Sequence, residues 1–270
     1  MSGIVDTIQG RRSVRTFENN PLTPEDRAYV EGVIQSIETP FGVPVEFRLL
    51  DAAEHGLKSP VIVGAHEYVA AKIGRVPGAE LALGFAFETF CLRAAERGLG
   101  TVMLAASLSR KSFEKAMEVG PNEVMPVASP VGYPAAKLSL REGMMRKAIK
   151  SDERLPFSRL FFSGSFGTPL SPSDAGRFEE PLQMLRLAPS ATNKQPWRAV
   201  VDGDTVHFFE EHSLKESALG DIQKVDMGIA LSHFLLTAQE LGLDGRINAC
   251  DPAITAPNGT EYITSFEAAR

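Results

Sequence analysis

Residues 81–99 read LALGFAFETFCLRAAERGL, and residues 225–243 read VDMGIALSHFLLTAQELGL. Offset by 144 positions (228 − 84 = 144, and again 242 − 98 = 144), the two share eight identities in nineteen places: Gly, Ala, Phe, Leu, Ala, Glu, Gly and Leu. Chance gives roughly one, so an internal repeat is expected. Phe87, Phe90, Cys91, Ala94 and Ala95 fall at helical spacing, as do Leu231, Phe234, Leu235 and Ala238. Each run stops at a glycine, Gly98 or Gly242, suited to a left-handed C-cap. Each copy therefore reads as one amphipathic helix. Gly84, Ala86, Gly228 and Ala230 leave room for another backbone, so the two helices are expected to pack on each other. On this stretch alone, two unrelated core helices of similar composition stay open as the alternative.

Outside these helices the duplication continues. Pro21-Leu22-Thr23-Pro24-Glu25-Asp26 opens a helix, with Thr23 as N-cap, Pro24 at the first helical position and acids in the first turn. Pro169-Leu170-Ser171-Pro172-Ser173-Asp174 repeats the pattern 148 positions later (169 − 21 = 148). Residues 45–50 and 196–201 follow as strands, so the order helix, strand, long helix, strand occurs twice. Further strands are expected over 101–106, 124–133, 206–210, 246–250 and 262–266, a helix over 110–119, and a hairpin turn at Asp202-Gly203-Asp204. The charged stretch 135–158 reads as a surface crossover between a first half, 1–150, and a second, 151–270. The expected fold class is α+β, with mostly antiparallel sheets packed through the repeated helices.

The 270 residues, 43% hydrophobic and 23% charged, suffice for one large globular unit or two small ones. No apolar run reaches the length of a membrane span. The opening MSGIVDTIQGRRS has no apolar signal core before its charges, which makes a cytoplasmic protein the default expectation. Cys91 and Cys250 read as buried thiols without a disulfide. A net charge of −6 offers no broad basic field for nucleic acid, so an anion site must be local. Five scattered histidines disfavour a metal site. In Arg11-Arg12-Ser13-Val14-Arg15, an extended backbone projects Arg11, Ser13 and Arg15 to one side. Two guanidinium groups and a hydroxyl on one edge suit a phosphate; a solvated basic patch is the plainer alternative.

Three segments together resemble the flavin-dependent nitroreductase family: residues 11–15, RRSVR; residues 98–101, GLGT; and residues 188–197, APSATNKQPW. The last is similar to that family's Pro-Ser, Asn, Gln-Pro-Trp signature; its local alternative is a helix-to-strand loop with a serine cap. The resemblance implies a homodimer-like fold in which each FMN is held by the arginine-serine segment of one subunit and the Pro-Ser and Asn segment of the other. Here the first segment stands only in the first half, because residues 159–163 (RLFFS) have lost most of its charge. The second stands only in the latter half, its counterpart being residues 39–44, TPFGVP. One chain is thus expected to imitate the dimer, as in a fused, pseudo-dimeric subgroup of the family, with one intact FMN site; such a chain can work as a monomer.

Carried over by the resemblance, Arg11, Ser13 and Arg15, with Arg12 adjacent, contact the FMN phosphate and ribityl chain, joined by Arg154. Pro189, Ser190 and Asn193 reach the flavin from the second half, and the Ala105-Ala106 backbone passes beside flavin N5. Many members have Glu-Gly or Gly-Gly at the latter place, and a basic residue where this chain has Asp152. The implied activity is a ping-pong oxidoreduction from NAD(P)H to a nitroaromatic, a quinone or a similar small acceptor. No protein nucleophile is needed: Ser190 reads as a cap and His233 as a helix-surface or interface residue. Two rivals keep the fold: another flavin reaction such as enone reduction or dehalogenation, and a flavin-binding or flavin-free protein without turnover.

Overall fold

The computed structural model describes residues 3–137 and 153–269. Asp152 and most of the expected crossover lie outside the described residues. In order come α1 (Ile4–Gly10), α2 (Pro24–Ser36), β1 (Glu46–Asp51), α3 (Ala52–His55), β2 (Glu67–Gly74), α4 (Ala79–Glu96), β3 (Gly100–Thr101), α5 (Arg110–Ala116) and β4 (Glu123–Gly132). After the undescribed segment follow α6 (Phe157–Leu160), β5 (Phe161–Ser163), α7 (Glu179–Arg186), β6 (Trp197–Asp202), β7 (Thr205–Glu211), α8 (Ile222–Glu240), β8 (Gly245–Asn248) and β9 (Thr260–Ala268).

The duplication is explicit in the sheets. The first sheet has the order β1-β2-β4-β3, and the second runs β6-β7-β9-β8 with β5 added at the β6 edge. Strand for strand these are the same antiparallel arrangement, each with its long helix inserted between the second and third strands in sequence. β5 pairs with β6 in parallel, Phe161 opposite Ala199, whereas the other strand pairs of the described sheets are antiparallel. The hairpin joining β6 and β7 turns at Gly203, whose φ of 55° suits a residue without a Cβ.

α4 and α8 pack on each other at their paired glycines. A Cβ built on Gly84 would lie 1.9 Å from the Val225 carbonyl oxygen, and one on Gly228 would lie 2.1 Å from that of Leu81. Only glycine permits this approach. Enclosed between two sheets, both helices are buried nearly all round instead of showing the expected polar face. They end as expected, at Gly98 (φ 79°) and Gly242 (φ 68°).

Local physics accounts for the other departures from expectation. Thr23 caps α2 by accepting from the Asp26 N–H at 3.2 Å, but its echo Ser171 donates to the Asp174 carboxylate instead. With Gly176 at φ 55°, residues 172–178 form two short 3-10 turns ahead of α7. The strand expected over 101–106 stops at Thr101: the Val102 N–H turns to the Ser129 hydroxyl at 3.0 Å, and only Leu104 rejoins the ladder, opposite Ala128. β2, buried at almost every position, lacks the alternation that marks a half-exposed strand. Within the expected surface crossover, Phe157 is buried.

Cys91 is buried as expected, but Cys250 lies beyond β8 and is exposed. Burial raises the Cys91 thiol pKa, with the neighbouring Glu88 charge adding to the effect. A soluble thiol reagent should therefore modify one thiol per native chain, at Cys250, and both after denaturation. Two fast-reacting thiols in the native protein would contradict this packing.

Candidate functional site

Residues 11–17 enter in extended form between the halves. The Val14 N–H donates to the Thr101 carbonyl at 2.9 Å, and Ser13 bridges to Thr101. Val14 is buried, pressed against Gly100, which turns Ser13 and Arg15 to the other side. Opposite stands the 189–195 loop, held by its own polar groups. The Ser190 hydroxyl accepts from the Gln195 N–H at 2.9 Å, and Asn193 Nδ2 donates to the Glu153 carbonyl at 3.0 Å. Thr192, Asn193 and Gln195 all have φ between 50° and 57°, so the loop is tightly curled and depends on those bonds.

Between the two segments lies a cavity of about 640 Å³. All ten residues singled out from the sequence line it: Arg11, Arg12, Ser13, Arg15, Ala105, Ala106, Arg154, Pro189, Ser190 and Asn193. Strand alternation alone would have sent Arg12 away; it is exposed and stands at the cavity's edge. Arg154 is fixed by donating to the Leu187 carbonyl through Nη2 at 2.9 Å and through Nε at 3.3 Å. Ala105 is held from behind by its carbonyl, which accepts from the Arg110 guanidinium. Neither the Ala105 nor the Ala106 N–H has an acceptor among the described residues. Val102, Met103, Leu104, Ile222, Val225 and Ile229 supply an apolar wall. Guanidinium groups, free amides and apolar wall together suit a flat, anionic ligand of cofactor size.

Two carboxylates in this wall were not anticipated. Glu88 of α4 is buried, and its Oε1 lies 3.1 Å from Arg11 Nε and 3.1 Å from His233 Nε2. The other ring nitrogen of His233 faces the Met184 carbonyl at 2.9 Å. Of the two places expected for His233, the interface holds and the helix surface does not: it is buried between the halves, where α8 has no solvent face. Asp226 of α8, also buried, takes the Ala191 N–H at 3.0 Å on both oxygens. Burial drives its pKa well above the usual carboxylate range, and the charges of Glu210 and Asp221 add to the shift. The signal was available in the sequence: an ionisable residue at a buried phase of each apolar helix, opposite Ser232 in one case and Ala82 in the other at the 144 offset.

Among the described residues no helix is long and apolar enough to cross a membrane. No curated protein matches the sequence. Among solved structures, a "putative nitroreductase" from Thermotoga maritima superposes with a TM-score of 0.64 at 21% identity, covering 98% of this chain and 94% of that one. This shows a shared α+β nitroreductase-like fold, duplicated within one chain. An FMN-dependent nitroreductase from Clostridium difficile (TM-score 0.40, 13% identity) covers 49% of this chain and 88% of its own. An iodotyrosine deiodinase solved with FMN and 3-iodo-L-tyrosine (TM-score 0.42, 18% identity) covers 50% and 92% respectively. A family model described as "Putative TM nitroreductase" matches residues 3–238, and the chain belongs to that family.

Proposed function

We propose that the protein is a cytoplasmic FMN-dependent oxidoreductase that passes electrons from NAD(P)H to a nitroaromatic, a quinone or a similar small acceptor. The observation that carries this reading is the convergence of the arginine-serine segment and the Pro-Ser and Asn segment on one cavity. The cavity also fits the group chemically, with basic groups, amides without acceptors among the described residues and an apolar wall. Arg11, Arg15, Arg154 and Ser13 would offset a phosphate dianion. The Ala105 and Ala106 N–H groups would donate to the ring edge, where negative charge grows on reduction. The wall from Val102 to Leu104 and from Ile222 to Ile229 excludes water from the ring. A bound flavin would supply the two-electron chemistry that links the nicotinamide to the acceptor.

The two halves, 1–150 and 151–270, stand in this reading where two subunits stand in a dimeric relative, so a monomer is sufficient for one site. The purified protein should be yellow or take up added FMN, bleach with NADH or NADPH under anaerobic conditions, and recolour with a nitroaromatic or quinone. A colourless protein that does not bind FMN overturns the reading. Flavin that binds but never bleaches keeps the site and removes the activity.

A further inference from the structure

Glu210 and His212 sit two residues apart at the end of β7, so both project to one side of an extended segment. Asp221, the N-cap of α8, closes on the same spot. One ligand-type atom from each of the three lies within 4.8 Å of the others. Glu210 is fully buried, and its Oε2 has no hydrogen-bond partner among the described residues. A buried carboxylate oxygen without a partner calls for an explanation, and a bound cation is one. His212 is aimed accordingly: Nε2 meets the Glu261 carboxylate at 3.1 Å, leaving Nδ1 at 2.9 Å from Glu210 Oε1. A carboxylate on Nε2, with Nδ1 turned toward a second carboxylate, is the outer arrangement that orients metal-bound histidines. Two ligands that each stand about 2.1 Å from a shared ion are about 3.0 Å apart at a right angle and about 3.4 Å apart at a tetrahedral one, so the observed spacing needs only a small shift to admit an ion. Asp221 spends one oxygen, Oδ1, on the Gln223 N–H at 2.9 Å. Among the described residues around the spot, the carboxyl groups of Glu210, Asp221 and Glu261 face one ammonium, that of Lys224, which pairs with Glu261 at 3.5 Å.

The geometry points to a divalent transition-metal site formed by Glu210, His212 and Asp221, with Zn²⁺ as the fitting probe. One imidazole with two carboxylates favours such an ion over Mg²⁺ or Ca²⁺, with water completing the shell. The site lies at both ends of the loop 212–220, because His212 begins that loop and Asp221 follows it. Ser217 and Leu219 of this loop line the cavity, and the Ala218 carbonyl accepts from Arg75 of the first half at 3.1 Å. An ion there clamps the two ends of a cavity-lining loop together; its role is structural, and no electron passes through it.

The full-length protein, stripped with a chelator and dialysed, is titrated with Zn²⁺ alone by calorimetry and by thermal melting. Expected are one Zn²⁺ per chain, a Tm raised by roughly 5 °C or more at hundredfold excess over Kd, and slower tryptic cleavage at the exposed Lys215. His212→Ala and Glu210→Gln should each weaken binding tenfold or more, and His55→Ala should leave it unchanged. Melting of the metal-free Glu210→Gln variant checks folding independently, and a single cooperative transition is expected. Absence of stoichiometric binding overturns the site, as does undiminished binding in Glu210→Gln. Unchanged cleavage at Lys215 with Zn²⁺ bound overturns the clamp.

Discussion

Gly228→Ala should lower the Tm by roughly 10 °C, as should Gly84→Ala. The added methyl at 228 would stand 2.1 Å from the Leu81 oxygen and 2.7 Å from the Phe85 nitrogen; at 84 it would stand 1.9 Å from the Val225 oxygen. These obstacles are helical backbone, which cannot rotate aside as a side chain would, so α4 and α8 must separate along the contact that joins the halves. Overpacking of this kind costs about 3 kcal/mol or more, and a chain of this size loses about 2–4 °C per kcal/mol. The double variant should cost much less than twice either single one, because both methyls force the same separation. Gly10→Ala is the control: nothing lies within 4 Å of its added Cβ, and the Tm should stay within about 2 °C. An unchanged Tm in Gly228→Ala would mean that the helices do not cross where the glycines coincide.

Arg11→Ala combined with Arg15→Ala should weaken FMN binding by roughly a hundredfold or more, taking each charge-assisted bond at about 1.5–3 kcal/mol. Retention of flavin can be followed by the visible absorption of the desalted protein. Arg11 has a second role that must be separated from this one. Its Nε pairs with Glu88, both groups being nearly excluded from solvent, and its loss leaves the Glu88 carboxylate to His233 alone. Breaking a buried pair from one side costs about 3–5 kcal/mol. Arg11→Ala should therefore also melt early, and adding Glu88→Gln should recover much of the Tm by removing the stranded charge. FMN affinity should stay low in that double variant. Unchanged affinity in the arginine variants would remove Arg11 and Arg15 from the site, and recovery with Glu88→Gln would reduce Arg11 to a structural residue.

The legible parts of this chain were those where local physics and global fold agree. The Thr23-Pro24 start of α2, the glycine ends of α4 and α8 and the turn at Gly203 are short-range devices, and each appears where its residues stand. The strands β2 and β5 were missed for opposite reasons: one is buried throughout and has no alternation, and the other is three residues long and exists because β6 offers an edge. The strand expected beyond Thr101 had suitable residues but lost its partner when Ser129 took the Val102 amide. Glu88 and Asp226 stood out in the sequence as ionisable residues at buried phases of apolar helices, but propensity says nothing about what a buried carboxylate will meet.

From the sequence by itself came the duplication and the crossing of the repeated helices at small residues, because repeats are properties of residue order; the ten cavity-lining positions came from the family resemblance that its motifs carry. Tertiary structure alone decided that those ten positions face one another, that Glu88 ties Arg11 to His233 across the halves, and that Glu210, His212 and Asp221 share one spot. These are contacts between residues far apart in the chain. Their energies depend on distance and burial, which no local pattern encodes.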